Sequence, residues 1–187
     1  ISCFSSDTIA SHILNPSAHF EYEMILVTDG SAQVQIHDRT YPLQRGSLLF
    51  ISRLEQHQFC IVKEPYCRYV LSVSSDLLLS HLNEPRLASI FMQRPEYFSH
   101  VVQLNEEQLA YFLPFFQKSA DEYEKQPDFY TLQSIALLLS VLISLYRLYP
   151  NAFPMEDSSS LSAAVLNAQI YVSRHFNRKL TLQEIAD

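Results

Sequence analysis

The stretch Glu21-Tyr-Glu-Met-Ile-Leu-Val-Thr-Asp-Gly30, followed by Ser31-Ala-Gln-Val-Gln-Ile-His37, decides the fold class. Glu21–Thr28 is dominated by β-branched, aliphatic and aromatic residues, the side chains that pack well on a pleated surface, and Asp29-Gly30 predicts a turn. Ser31–His37 alternates polar with apolar at period two, the mark of a half-buried strand. Working outward, Asp38-Arg39 reads as another tight turn into Thr40-Tyr-Pro-Leu43. Leu48–Ser52, His57–Lys63 and Arg68–Val73 read as three more strands, punctuated by Gly46 and Pro65. Short strands at roughly ten-residue spacing indicate a sandwich or a barrel.

After Val73 the period changes. Ser75 caps a short helix Asp76–Leu82, and Pro85 fits the first turn of a second, Pro85–Met92. Phe98–Leu104 reads as one returning strand, and Asn105 then caps a long helix with Leu109, Phe112, Leu113, Phe116, Ala120 and Tyr123 on one stripe. Pro114 is expected to kink or break it. A second long helix, from about Asp128 to Tyr149, carries Leu132, Ile135, Ala136, Leu139, Leu142, Ile143 and Tyr146 on its apolar face, with Leu137, Leu138, Val141 and Leu145 off that stripe. A helix apolar nearly all round wants burial on two sides. The expectation is a homodimer through this pair, with Leu138, Val141 and Leu145 near its centre, so that glutamate at Leu138 and Leu145 gives a folded monomer. Pro150–Ser160 is Pro/Ser-rich and reads as a linker before a last segment, Leu161–Asp187.

Composition narrows the function. The chain has 187 residues, 48% apolar and 18% charged, enough for one domain of common size plus a small appendage. Its two glycines, Gly30 and Gly46, permit no Gly-rich phosphate loop. A net charge of −7 has the wrong sign for a stand-alone nucleic-acid module. Cys3, Cys60 and Cys67 make an odd count without a CxxC pair, which reads as a reducing, cytoplasmic compartment, although spacing alone leaves a Cys60–Cys67 disulfide open. The N-terminus has no signal-peptide pattern. The most apolar run, Ile135–Tyr146, is broken by Ser140 and Ser144 and falls short of the ~20 residues that span a bilayer, so no membrane partner is expected. The chain starts without Met and stops at Asp187 in mid-pattern, as a piece of something longer would.

His19, Glu21 and Glu23 share one strand face, so His19 and Glu23 can converge with His57 from a later strand. Alternation adds Glu21 or Ile25 to that inward set and places Phe59 beside His57, while Gln33 and Gln35 share a face of the next strand, where they can hydrogen-bond a polyol. A one-residue slip inverts such assignments. The run His19–Gly30, followed by Gln44-Arg-Gly46-Ser-Leu-Leu-Phe-Ile-Ser52 and His57, resembles the two cupin motifs, which implies a cupin-like (double-stranded β-helix) barrel. His19, Glu23 and His57 match three of the four usual metal ligands, and Ser17 stands where the first His would. Two His and one carboxylate can hold Fe(II), Mn(II) or Zn; they can equally line a polar pocket mouth. With the ligand set incomplete and no further catalytic cluster in the sequence, the expectation is no metal, no cofactor and no catalytic residue.

The C-terminal run Tyr171-Val-Ser-Arg-His-Phe-Asn-Arg-Lys-Leu-Thr-Leu-Gln-Glu-Ile-Ala-Asp187 contains a Thr181-x-x-Glu184 capping box. It is similar to the opening of the AraC/XylS-type DNA-binding domain. The resemblance covers about twenty residues at this end and gains weight from the order barrel, helix pair, linker. It implies a bacterial transcription regulator: residues 1–104 a mostly β sensor barrel with short helices, 105–149 a dimerising helix pair, 150–160 a linker, and 161–187 the truncated start of a helix-turn-helix domain. The implied partners are a small polar effector, a sugar in many such proteins, held by His19, Glu21, Glu23, Gln33, Gln35, His57 and Phe59; a second copy of the chain; and DNA in the full-length protein. Asp187 precedes any recognition helix, so this fragment reads no bases, while Arg174, Arg178 and Lys179 are placed to neutralise phosphate or simply to solvate a helix end. The alternative is a small metal-dependent cupin enzyme, an isomerase or dioxygenase.

Overall fold

The computed structural model describes residues 1–8, 13–82, 84–154, 168, 171–172, 175 and 178–186. Six strands, β1 (Ser2–Thr8), β2 (Tyr22–Ile36), β3 (Arg39–Gln44), β4 (Ser47–Ile51), β5 (His57–Val73) and β6 (Val101–Gln103), form one antiparallel sheet in the order β1-β5-β2-β4-β6, with β3 paired to β2. Helices α1 (Ser75–His81) and α2 (Pro85–Met92) precede β6, and α3 (Glu106–Lys125) and α4 (Tyr130–Leu148) follow it. Barrel and helices are thus the expected mixed β/α architecture.

Two strands are longer than the turn residues predict. Asp29-Gly30 makes no reversal: β2 runs on through it for 15 residues, and His57–Lys63 and Arg68–Val73 merge into one 17-residue strand. The β2–β5 ladder extends from Tyr22↔Val73 to Ile36↔His57, with register shifts between Val27 and Ala32. Gly30 sits at the centre with φ +70°, and a Cβ there would collide with the carbonyl oxygens of Pro65 and Lys63. Here the two backbones approach more closely than any side chain permits.

The shift changes which side chains face inward. Ile25 and Val27 belong to one buried cluster with Ala32, Val34 and Ile36. Odd positions point into the barrel before the bulge and even positions after it. Strand β5 repeats the change, with Ile61 and then Tyr66 and Val70 inside. The opposite faces, including Tyr22, Met24, Leu26 and Leu71, pack under the helices in a second cluster. Strand β4 is buried on both sides: Leu49 and Ile51 face the barrel, Leu48 and Phe50 the helices.

Asn105 caps α3 as expected, in a reciprocal box: its side chain accepts from the Gln108 N–H (2.8 Å) while Gln108 accepts from its own N–H (2.9 Å). Helix α3 continues through Pro114 without ending there, and Gln126, in the left-handed region, closes it. The reversal between β2 and β3 falls at His37-Asp38, one residue before the expected turn, and Ser74 rather than Ser75 caps α1. Strand β1, in a segment with no marked strand pattern, pairs along β5 from Ser2↔Ser72 to Thr8↔Tyr66.

Helix α4 corrects the expected dimer centre. Leu138, Val141 and Leu145 are 4%, 2% and 0% exposed within this chain, in the cluster that α3, α4 and the sheet share. They belong to the core, and glutamate there would unfold the chain rather than dissociate a dimer. Of the stripe read as core, Ile135 and Leu142 are buried as expected, while Leu132 (58%) and Ile143 (37%) are exposed and Ala136 faces outward with them. The helix is long and apolar enough to cross a membrane by those criteria alone, but seven of its residues are buried within the fold.

Gly30→Ala should lower stability by at least about 2 kcal/mol, since the left-handed conformation alone costs an L-residue ~1–2 kcal/mol and the Cβ adds a backbone collision. Urea unfolding checks this; a loss within ±0.5 kcal/mol would mean the bend does not depend on Gly30.

Candidate functional site

Three side chains from separate parts of the chain converge inside the barrel. Glu23 comes from the first half of β2, on the same face as Ile25 and Val27. His57 opens β5, and His19 lies on the segment leading into β2. Residues 13–19 run beside the start of β5: the Ser17 N–H donates to the His57 carbonyl (2.9 Å) and the His57 N–H to the Ser17 carbonyl (3.0 Å). Because directly paired residues share a face, the Ser17 hydroxyl meets His57 Nε2 at 2.8 Å. One ligand atom from each of His19, Glu23 and His57 lies within 4.8 Å of the others.

The charges differ across the cluster. His57 Nδ1 donates to the Glu55 carbonyl (2.9 Å), leaving Nε2 to accept from Ser17. Burial lowers the His57 pKa, keeping the ring neutral. His19 Nδ1 donates to the Glu21 carbonyl (3.0 Å), and Nε2 stands 3.3 Å from a Glu23 carboxylate oxygen, without hydrogen-bond alignment. That carboxylate raises the His19 pKa. Burial pushes Glu23 up, but His19 and the Ser72 hydroxyl (3.0 Å) outweigh it and hold Glu23 below its ordinary value. The result is a half-buried His19–Glu23 pair drawn toward the charged form beside an imidazole drawn toward the neutral one.

Phe59 lies edge-on to His57 (5.8 Å between centroids) and packs against the barrel cluster, so alternation placed it correctly beside that residue. Glu21 does not enter: its side chain is 50% exposed on the rim, 3.9 Å from His19. Gln33 and Gln35 are corrected outright. Both are exposed, and Gln35 donates to the His37 carbonyl. The bulge around Gly30 inverts the parity of β2, so the even positions that follow it line the barrel. In the C-terminal segment the capping box forms, with the Thr181 N–H donating to Glu184 (2.9 Å) and the Glu184 N–H to Thr181 Oγ1 (3.3 Å). Arg178 is exposed and donates to Glu184 (2.8 Å) and Tyr171 (2.9 Å), Lys179 is exposed, and Arg174 lies outside the described residues.

Sequence reasoning missed the group that holds the site's floor. Glu55, 6% exposed, accepts from Arg94 (3.1 Å), from the Ser52 N–H (2.7 Å) and from His100 Nε2 (2.9 Å), whose Nδ1 meets the Tyr41 hydroxyl (2.9 Å). Burial pushes the Glu55 pKa up, but these partners outweigh it and hold it at about 2. The carbonyl of Glu55 orients His57. Its proximity to His57 was the only signal in the sequence; Arg94 and His100 arrive from some forty residues downstream.

Two imidazoles and a carboxylate are a donor set that suits a divalent transition metal. Here the fit is poor: His19 pairs with Glu23, Ser17 takes the His57 nitrogen that faces the cluster, and Ser72 takes the second Glu23 oxygen.

Residues 2–142 match the model of the family described as AraC-like ligand binding domain. No curated protein matches the sequence. Among solved structures, apo ToxT K231A from Vibrio cholerae strain SCE256 superimposes with a TM-score of 0.53 at 10% identity, over 98% of this chain and 68% of that one. ToxT from Vibrio cholerae O395 bound to (E)-4-(8-methylnaphthalen-1-yl)but-3-enoic acid gives 0.52 at 12% identity, over 98% and 68%. Wild-type ToxT with an unsaturated fatty acid bound gives 0.53 at 10%, over 98% and 66%. At these identities the likeness is one of fold.

The purified chain should carry well under one equivalent of transition metal by elemental analysis. Stoichiometric Fe, Mn or Zn, lost in His57→Ala, would overturn this and promote the metalloenzyme reading.

Proposed function

The chain belongs to the AraC-like ligand-binding domain family, and from that premise we propose that it is the effector-sensing and dimerising part of a bacterial transcription regulator and catalyses no reaction. The observation that carries this reading is the convergence of His19, Glu23 and His57, from three separate segments, inside a barrel whose buried cluster is mostly aliphatic. A polar cluster surrounded by aliphatic walls fixes the orientation of a small ligand. A metal-dependent enzyme is the second reading, and the metal measurement above decides against or for it.

The effector is proposed to be a small polar molecule. A sugar fits the imidazoles, the carboxylate and Phe59, but loses Gln33 and Gln35, which face solvent. The ToxT structures hold an unsaturated fatty acid and an aryl butenoic acid in the same fold, which supports including acids among the candidates.

We place the sensor in residues 1–104, the helix pair in 105–149, a linker in 150–160 and the start of a DNA-binding domain in 161–187, within a longer cytoplasmic protein. DNA is then a partner of that protein. Self-association is proposed through the outward stripe of α4, where Leu132, Ala136, Leu139 and Ile143 follow one another at helical spacing. Two copies related by a two-fold axis would cover it.

A thermal-shift panel of sugars and small carboxylates tests the sensing role. A true effector at 100 times its Kd adds about 2.7 kcal/mol, and the shift should shrink in Glu23→Gln and His57→Ala. A ligand that binds equally well to both variants would place the site elsewhere. Light scattering should show a dimer that Leu132→Glu with Ile143→Glu converts to a monomer of unchanged melting temperature. A monomer at every concentration in the unsubstituted chain would remove the dimer from the proposal.

A further inference from the structure

Among the described residues, a buried hydroxyl away from the His19–Glu23–His57 cluster is left without a partner. The Tyr66 side chain is 0% exposed within the barrel cluster, and its hydroxyl meets no hydrogen-bond partner among the described residues. A buried, unpaired hydroxyl is costly, and native folds leave few. Beside it stands a cation. The Arg68 guanidinium lies 4.8 Å over the Tyr66 ring, and among the described residues it donates to Thr8 Oγ1 (3.0 Å).

Register explains where these two side chains point. The pairings Thr8↔Tyr66 and Ser6↔Arg68 on one side, and Val27↔Arg68 on the other, put these side chains on the face that continues into the barrel. The nearby acids, Asp7 and Asp29, both pair with Cys67, one position over, and so share the opposite face. Strand alternation thus turns Tyr66 and Arg68 inward and Asp7 and Asp29 outward.

We propose that Tyr66, Arg68 and Thr8 form a second subsite in the barrel, distinct from the His19–Glu23–His57 cluster, that takes the carboxylate of an otherwise largely apolar acid. This rests on the barrel being an effector site. A guanidinium beside a buried hydroxyl that lacks an acceptor suits an anionic oxygen acceptor. Burial pushes the Tyr66 hydroxyl up to about 12, so it stays a donor at any physiological pH. The lining near it, Val27, Ala32 and Val70, suits an apolar body and disfavours a dianionic phosphate, which is harder to strip of water.

The test is differential scanning fluorimetry with two matched pairs, 4-phenylbutyrate against 4-phenylbutyramide and gluconate against glucose, on the unsubstituted chain, Arg68→Gln, Tyr66→Phe and His57→Ala. The expected result is a melting shift with 4-phenylbutyrate and none with its amide, absent in Arg68→Gln and smaller but still present in His57→Ala. Tyr66→Phe should weaken the acid about tenfold while raising the ligand-free melting temperature, because it removes an unsatisfied hydroxyl. A shift with gluconate alone would keep the carboxylate subsite and replace the apolar acid by a sugar acid. Equal shifts with acid and neutral partner, or no shift with either acid, would overturn the subsite. Binding lost in His57→Ala but intact in Arg68→Gln would overturn it while leaving the effector-sensing role standing. Should Arg68→Gln fail to fold, Tyr66→Phe decides: unchanged acid affinity overturns the proposal.

Discussion

The close approach of Gly30 to the Pro65 and Lys63 carbonyls is the constraint on which the remaining architecture depends. Strands of 15 and 17 residues cannot stay flat and also enclose a volume. The β2–β5 ribbon folds across itself where both backbones can touch, and that contact requires a residue with no Cβ and access to positive φ. The fold brings Glu23, from one end of the ladder, to within reach of His57, from the other. It also inserts the irregularity that reassigns every later side chain of β2 to the opposite face. A single glycine thereby determines both where the cluster forms and which residues are excluded from it.

The Glu55 cluster plays a different part. A buried carboxylate with one cationic partner removed would be strongly destabilising, ~3–5 kcal/mol. Here Arg94 reaches it from just beyond α2, His100 from just before β6, and the Ser52 amide from its own loop. The same residue's carbonyl sets the tautomer of His57. The loop between β4 and β5 is therefore tied to the helical layer by directional bonds rather than by apolar packing alone, and the orientation of one pocket residue is fixed through it. Whatever occupies the barrel meets an imidazole whose ring has been turned in advance.

Local chemistry made most elements legible. Alternation in Ser31–His37, the Asn105 box, the Pro85 first turn and the Thr181–Glu184 box all formed as their residue types dictate, because each depends on contacts within a few positions. The cluster of His19, Glu23, His57 and Phe59 was legible too, through spacing and the cupin resemblance. What failed required knowledge of distant chain. Asp29-Gly30 has the composition of a turn, and only the Pro65 backbone passing overhead makes it a bulge. Gln33 and Gln35 inherited that error. On α4, both faces are apolar, so composition could not say which one the sheet covers; the tight burial of Leu138 and Leu145 against α3 and the sheet is a tertiary outcome. Glu55 gave no sign of its partners because Arg94 and His100 are remote in sequence.

Strand β5 is flanked along much of its length by residues 2–8 and 13–17: β1 covers Tyr66–Ser72, and the bridges at Ile13 and Ser17 cover Cys60 and His57. Those residues act as a sheath over what would otherwise be a long bare edge of unpaired amides and carbonyls. Shearing them away by proteolysis would uncover a row rich in Phe, Ile, Tyr and Val, a ready template for intermolecular strand pairing. Solubility of the folded chain, a property that no pocket residue governs, is thus lodged in its N-terminal segment.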